Sequence, residues 1–321
     1  MKNVTKPVPT STPGAARAGL AATLTLPAKA VDSLECHSTT FTAGALGPGQ
    51  ARRVGRAPQN RPSQLAFTLT ELLVVIAIIA VLVAVRVPAL ARAQGNGQQL
   101  ACLNNHRQLA LAWLMYAADN ATQLATTFQW VGGGLDFDPN NPDNTNINYL
   151  IGTPSQLGRY VKNPGVYKCP ADRSMAREGT AVLPRCRSIS MSQAICSPAD
   201  EGWVTSPPWN IYYKSTQLVN PAPANLWVFI DENPDSINDA AFAVNMNSSG
   251  AYARFQDGPS TLHDGGCCFS FADGHAEIHQ WSDPRTIGHN QTHYANDYNY
   301  GYQTPNNPDV AWLELHTSAH Q

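Results

Sequence analysis

Residues 66–85 read AFTLTELLVVIAIIAVLVAV, and this stretch sets the organisation of the whole chain. The fourteen residues from Leu72 to Val85 are all apolar. Flanking apolar positions extend the segment to about 20 residues, the length of helix that crosses the hydrocarbon core of a bilayer. We therefore expect a transmembrane helix over residues 67–90. Two alternatives stay open: a buried helix of a soluble protein, and a cleaved secretion signal with its site near Ala89-Leu90-Ala91.

Flanking charge predicts the orientation of this segment. Four arginines lie between residues 52 and 61, whereas only Arg86 and Arg92 follow closely. Because positively charged flanks stay in the cytoplasm, we expect a single pass through a membrane. The N-terminus would then be cytoplasmic and the C-terminal domain extracytoplasmic.

Residues 1–66 differ in charge and composition from the rest of the chain. They contain eight basic and two acidic residues, whereas the remaining 255 residues contain 13 basic and 21 acidic ones. They show no helical or strand periodicity, so we expect a basic, disordered leader that is removed. A later translation start, for example at Val54, is an alternative. The acidic balance of the body argues against a nucleic acid partner, because phosphate binding needs clustered Lys and Arg.

Glu71 is the one ionisable residue within the segment 66–85. A carboxylate at the centre of a membrane helix costs about 2.5–3.5 kcal/mol, and less near the end of the helix. Ionisable residues in such segments usually serve a function and have a partner. We therefore expect Glu71 to have a functional role.

The sequence from Ala66 to Ile76 resembles the class III signal of type IV prepilins and type II secretion pseudopilins. The resemblance implies that a prepilin peptidase cuts between Ala66 and Phe67 and that Phe67 is then N-methylated. It also implies that Glu71 pairs with the N-terminal amine of a neighbouring subunit during filament assembly, which removes the penalty that each buried charge carries alone. This chain departs from the family pattern in having Ala66 in place of the preferred glycine, and in its long leader.

We expect the helix to continue beyond the membrane over residues 91–118. Gly95 and Gly97 should loosen it, and Asp119-Asn120 should end it. The stripe expected to pack on a sheet comprises Leu100, Leu103, Arg107, Ala110, Leu114 and Ala117, with Leu111 and Trp113 beside it. Residues 102–109, CLNNHRQL, resemble the post-membrane signature of a pseudopilin-like family abundant in Verrucomicrobia and Planctomycetes.

Residues 119–321 are expected to form a globular domain rich in loops. The apolar run Leu226–Ile230 predicts a buried strand and leads into residues 231–239, DENPDSIND. Oxygen-rich side chains in that loop could collect a hard cation, for which Ca²⁺ is the best chemical match, although the pattern is not that of an EF-hand. The candidate ligands are Asp231, Glu232, Asp235 and Asp239. A solvated acidic loop is the alternative.

Residues 263–275, HDGGCCFSFADGH, predict a β-hairpin. We expect a turn at Gly265-Gly266 and a two-residue type I′ turn at Asp273-Gly274. The spacing of His263 from Asp273-Gly274 resembles the H-X9-DG signature of the same family, whose C-terminal domain is associated with prepilin processing. The signature can be purely structural. The alternative is a metal or hydrolytic centre built from His263, Asp273, His275, Glu277 and His279.

The number of cysteines matters because the body is expected to be exported. Six of the seven cysteines lie in the body: Cys102, Cys169, Cys186, Cys196, Cys267 and Cys268. An even number in such a domain predicts disulfides. The adjacent Cys267 and Cys268 should point to opposite faces of a strand and have different partners. The CxxC spacing of many structural zinc sites is absent, which argues against such a site.

The resemblance implies an α+β, pilin-like fold: a long N-terminal transmembrane helix packed at its C-terminal half on a small antiparallel β-sheet. We expect a pseudopilin-like structural subunit of a type II secretion or type IV pilus-like filament, with no catalysis of its own. Its expected partners are the prepilin peptidase/methyltransferase, other pseudopilin subunits and the membrane. The alternative is a membrane-anchored extracytoplasmic enzyme or ligand-binding domain that uses a prepilin-type leader.

Overall fold

The computed structural model describes residues 68–136, 138, 140–197, 209–248, 250–295 and 298–320. The predictions for the leader, for Ala66 and for Phe67 lie outside the described residues. The helices are α1 (Leu69–Asp119), α2 (Asn148–Ile151), α3 (Pro284–His289) and α4 (Pro308–Thr317). The strands are β1 (Met175–Glu178), β2 (Ala181–Pro184), β3 (Ile189–Ser192), β4 (Trp227–Asp231), β5 (Ala241–Phe242), β6 (Arg254–Phe255), β7 (Gly266–Phe271), β8 (Ala276–Gln280) and β9 (Tyr302–Gln303). The α+β class is therefore confirmed.

Helix α1 is 51 residues long and has a capping box at its N-terminus. The backbone N–H of Thr68 donates to Glu71 Oε2 at 2.9 Å, and the N–H of Glu71 donates to Thr68 Oγ1 at 3.3 Å, so both orphan donors are satisfied. The helix runs without interruption through Gly95 and Gly97, so the prediction that these glycines loosen it was wrong. Good helix formers on both sides offset the modest cost of each glycine. The predicted end at Asp119 is confirmed.

The two halves of α1 differ in burial. The large apolar side chains from Leu69 to Val83 are 45–75% exposed, whereas one face beyond residue 100 is buried. The predicted stripe is only partly confirmed, because Ala110 and Ala117 are buried whereas Leu100 is more than half exposed. The members of the buried face are Cys102, His106, Leu109, Ala110, Ala112, Trp113 and Ala117. The prediction relied on large apolar residues, whereas the buried face includes a thiol and an imidazole.

Among the described residues, no helix combines the length and the apolar character needed to span a membrane. The transmembrane part of the predicted fold stays a prediction.

The main sheet has five strands in the order β5-β3-β4-β7-β8. Three neighbouring pairs are antiparallel, but β3 and β5 are parallel, so the sheet is mixed rather than purely antiparallel as predicted. The second half of α1 packs on β7, β8 and β4. The predicted strand at Leu226–Ile230 is confirmed as β4, which ends at the fully buried Asp231.

The predicted hairpin is confirmed as β7 and β8, but its turn differs from the prediction. The N–H of Phe271 donates to the carbonyl of His275 at 3.0 Å, which closes a loop of three residues. Gly274 has a φ of 94°, whereas Asp273 is not among the positive-φ residues. A type I′ turn needs positive φ at both central positions, so that assignment was wrong.

The type I′ pattern lies instead at the other Asp-Gly pair, Asp264-Gly265, whose φ angles are 55° and 81°. This turn joins His263 to Gly266, and the N–H of Gly266 donates to the carbonyl of His263 at 3.0 Å. The predicted Gly265-Gly266 turn is thus displaced by one residue. The turn therefore determines the position of His263 in the domain.

Candidate functional site

Asp231 lies at the centre of a buried polar cluster between α1 and the sheet. Its Oδ1 is 3.2 Å from Nε2 of His106 on α1, and its Oδ2 is 3.4 Å from Nε2 of His263. The thiol of Cys102 donates to Oδ2 at 2.9 Å. The two oxygens of one carboxylate therefore face two different imidazoles.

Two further thiols complete the cluster. Cys169 Sγ is 3.3 Å from Nε2 of His263, and Cys268 interacts with His106. Cys102 interacts with both of these thiols. Every side chain of the cluster is at most 1% exposed: Cys102, His106, Cys169, Asp231, His263 and Cys268. We call these six residues the Asp231 cluster.

Local geometry explains why these side chains meet. Cys102 and His106 are four residues apart on α1 and so lie on one face of the helix. Neighbouring strand residues point to opposite faces, so Cys268 joins this cluster whereas Cys267 belongs to the hydrophobic core. Cys169 is held by its backbone N–H, which donates to Ser188 Oγ at 2.8 Å.

The surroundings of the cluster shift its thiols in opposite directions: burial raises the pKa of Cys102 well above its usual range, whereas the pKa of Cys268 is lowered. Burial lowers the pKa of His106, but Cys268 and Asp231 outweigh it and raise that pKa to about 10. Burial likewise lowers the pKa of His263, and hydrogen bonds with Asp231 and Cys169 raise it to about 10. Burial raises the pKa of Cys268, yet a neighbouring thiol and His106 bring it down to about 6. The sulfur, nitrogen and oxygen atoms of the cluster are thus held together away from water.

The predicted calcium ligands do not converge on one point. Asp231 belongs to the cluster, whereas Glu232 accepts hydrogen bonds from Ser190 Oγ and Ser236 Oγ. Asp235 accepts backbone N–H bonds from residues 293, 294 and 295, and Asp239 accepts one from residue 241. These carboxylates therefore have separate hydrogen-bond partners, and the Ca²⁺ site at residues 231–239 stays a prediction.

The histidines near the C-terminus do not form a common centre. His263 is buried in the Asp231 cluster, whereas His275 Nδ1 lies 2.6 Å from Asp273 Oδ1 at the partly exposed tip of the hairpin. His279 stacks on Trp312 with ring centroids 3.7 Å apart. The hydrolytic alternative therefore has no geometric support. Within residues 263–274, His263 points to the cluster whereas Asp273 and Gly274 shape a loop.

The cysteine predictions were partly wrong. The six described cysteines are free thiols, so no disulfide is formed. The opposite orientation of Cys267 and Cys268 is confirmed. The sequence contained a signal for part of the cluster that the disulfide prediction did not use. Cys102 and His106 share a helix face, and His263 precedes Cys268 across a tight turn. Cys169 and Asp231 could be added only once the chain was folded.

Residues 61–85 match the family model of the prokaryotic N-terminal methylation motif. The chain thus carries a prepilin-type N-terminal motif, which ends within the exposed half of α1. Comparisons with the curated proteins and with the solved structures gave no significant match.

Proposed function

We propose that this chain is a pseudopilin-like structural subunit. It is made as a precursor, cleaved between Ala66 and Phe67 by a prepilin peptidase, and N-methylated on Phe67. Helix α1 then holds it in the inner membrane, with the globular domain on the extracytoplasmic side, and assembles with other subunits into a type II secretion or type IV pilus-like filament. The N-terminal methylation motif at residues 61–85 carries this proposal.

The exposed half of α1 supports the proposal physically. Its large apolar side chains from Leu69 to Val83 are 45–75% exposed, and an apolar surface of this extent on one chain marks an interaction with a membrane or a protein. The apolar run from Leu72 to Val85, extended by its flanking apolar positions to about 20 residues, would suit a lipid environment before assembly. Helices of neighbouring subunits would cover the same surface within a filament.

Glu71 offers a sharp test, because it has two separable roles. In the folded chain it closes the capping box with Thr68, and in assembly its charge would pair with the amine of a neighbouring Phe67. Glutamine keeps the capping box but has no charge. We expect Glu71→Gln to be inserted and cleaved normally but to be absent from the sheared filament fraction, as Glu71→Ala would be. Normal assembly of Glu71→Gln would refute the role of this charge in the filament.

The alternative is a membrane-anchored extracytoplasmic enzyme or ligand-binding domain that uses the same leader. The Asp231 cluster does not favour it, because a substrate has no access to side chains that are at most 1% exposed. Loss of a soluble activity in His263→Ala, with assembly intact, would support this alternative.

A further inference from the structure

We propose that the Asp231 cluster is a buried centre that binds two zinc ions and fastens α1 to the sheet. This inference does not depend on the proposed function, since any domain with this packing would hold the same donors. It rests on the positions of six side chains that converge from distant parts of the chain.

The cluster contains two overlapping sets of four donors. One set is Cys102, Cys169, Asp231 and His263, and the other is Cys102, His106, Asp231 and Cys268. Within each set the donor atoms lie within 4.8 Å of one another. Tetrahedral zinc with ligand bonds of about 2.0–2.3 Å places its donors roughly 3.3–3.8 Å apart. Small side-chain adjustments therefore suffice to surround an ion in each set.

Asp231 and Cys102 belong to both sets and are the bridging ligands of the proposed centre. The Oδ1 of Asp231 faces His106 and its Oδ2 faces His263, so each oxygen can bind a different ion. Cys102 lies between the other two thiols, Cys169 and Cys268, and interacts with both. Paired metal ions about 3.5–4 Å apart are common in proteins, and shared ligands produce such a separation.

Charge balance favours two ions over one. The deprotonated donors comprise three thiolates and one carboxylate, four negative charges in all, together with two neutral imidazoles. Two divalent cations neutralise this set, whereas with one ion the set is neutral only if two protons stay bound to its donors. An uncompensated charge is costly at a site where every ligand is at most 1% exposed.

The donor types favour zinc in a structural role. Thiolate and imidazole together select zinc over magnesium or calcium, and closed four-coordinate sites without an open position are typical of structural zinc. The Nδ1 of His106 has no hydrogen-bond partner among the described residues, so this ring is held through Nε2, the nitrogen that would bind the metal. The absence of CxxC spacing is no obstacle, since the fold rather than the local sequence brings these ligands together.

The position of the centre explains what it does. Its ligands come from α1, the segment after the turn at Pro164–Tyr167, the end of β4, the turn at Asp264-Gly265, and β7. Through its coordinate bonds, zinc would link α1 to the globular domain. Because a structural metal contributes its binding free energy to folding, the helix and sheet would stay docked under a pulling force.

The experiment is metal analysis of the full-length chain, purified in detergent without chelators or added metal. Inductively coupled plasma mass spectrometry should find two zinc ions per chain. Replacement by Co²⁺ should give the intense visible bands of tetrahedral cobalt and thiolate-to-metal charge transfer in the near ultraviolet. This readout needs no variant, so it stands even if ligand variants fold poorly.

Cysteine variants locate the ions. Cys169→Ser and Cys268→Ser should each lose about half or more of the zinc, and Cys102→Ser should lose nearly all of it. Cys267→Ser is the matched control, because this thiol neighbours Cys268 and is equally buried but belongs to neither donor set. It should keep two ions per chain.

Four results would overturn the proposal. A stoichiometry of one ion would rule out the bridged pair. No zinc, or a native disulfide that involves Cys102, would rule out the centre itself. Equal zinc loss from Cys267→Ser and Cys268→Ser would refute the assigned ligands.

Discussion

His106 on α1 and Asp231 at the end of β4 are 125 residues apart in the chain, yet their side chains lie 3.2 Å apart in the core. Neither side chain is more than 1% exposed. This contact joins the second half of α1, which packs on the sheet, to the central strand of that sheet. It makes the docking of α1 depend on polar groups as well as on apolar packing.

Removal of the imidazole should therefore destabilise the domain strongly. We expect His106→Leu to lower the free energy of unfolding by about 3–5 kcal/mol, because it leaves the buried Asp231 without one of its two imidazole partners. Leu111→Ala is a control on the same helix, since Leu111 is 54% exposed, and should change stability by about 0.5 kcal/mol or less. Urea unfolding of the full chain in detergent measures both. Equal, small effects of the two substitutions would contradict this view of the contact.

Two glycines, one in the hairpin loop and one in α3, should change the stability in opposite directions when they are replaced by alanine. Gly274 has a φ of 94°, and an added Cβ would lie 3.2 Å from Leu114 Cδ1. Gly274→Ala should therefore cost about 1–3 kcal/mol. Gly288 lies in α3, where an added Cβ meets nothing within 4 Å, so Gly288→Ala should stabilise by about 0.4–1 kcal/mol. Thermal unfolding compares them, and stabilisation by Gly274→Ala would contradict the assigned loop geometry.

Asp257 predicts a pH dependence of stability. Burial raises its pKa from the ordinary value of 3.8 to about 7, so the native state holds a proton that the unfolded chain releases. The stabilisation is complete below pH 3.8 and is lost as pH rises through about 7. The free energy of unfolding should fall over that interval by at most about 1.4 kcal/mol per pH unit for this group.

Asp257→Asn provides the comparison, because an amide oxygen can still accept the bond from the N–H of Ala243 but does not titrate. Urea unfolding at pH values from 4 to 8 should show a smaller decline for the variant. Glu232, whose pKa burial raises well above its usual range, contributes in the same direction, so the difference between the two proteins is the readout. If the free energy of unfolding fell equally with pH in both proteins, Asp257 would not be the cause of the pH dependence.

The long helix, its end at Asp119, strand β4 and the hairpin could be predicted from the sequence. Each has a local cause: a helical run with a capping signal, a short apolar run, or an Asp-Gly turn. The buried face of α1 was predicted only in part, because it also includes Cys102 and His106, which the search for apolar residues passed over. A one-residue difference in loop length likewise decided which Asp-Gly pair adopts the type I′ conformation.

The Asp231 cluster could not be predicted in the same way. Adjacent strand residues point to opposite faces, so Asp231 and Glu232 have separate surroundings although they are neighbours in an acidic run. Proximity in sequence therefore does not mean that the carboxylates of this run share their surroundings. The cluster combines contacts between distant parts of the chain with two local pairs, Cys102 with His106 and His263 with Cys268. An even number of cysteines does not indicate which thiols lie close together.

The measurement that tests the proposed function most directly is the mass of the mature chain and of its N-terminal peptide, from membranes with and without the prepilin peptidase. The account predicts a chain that begins at N-methylated Phe67, and only when the peptidase is present. A chain that keeps residues before Phe67 in the presence of the peptidase would show that Ala66 blocks cleavage. A start at Ala91 or later would identify an ordinary secreted domain and would contradict the filament proposal.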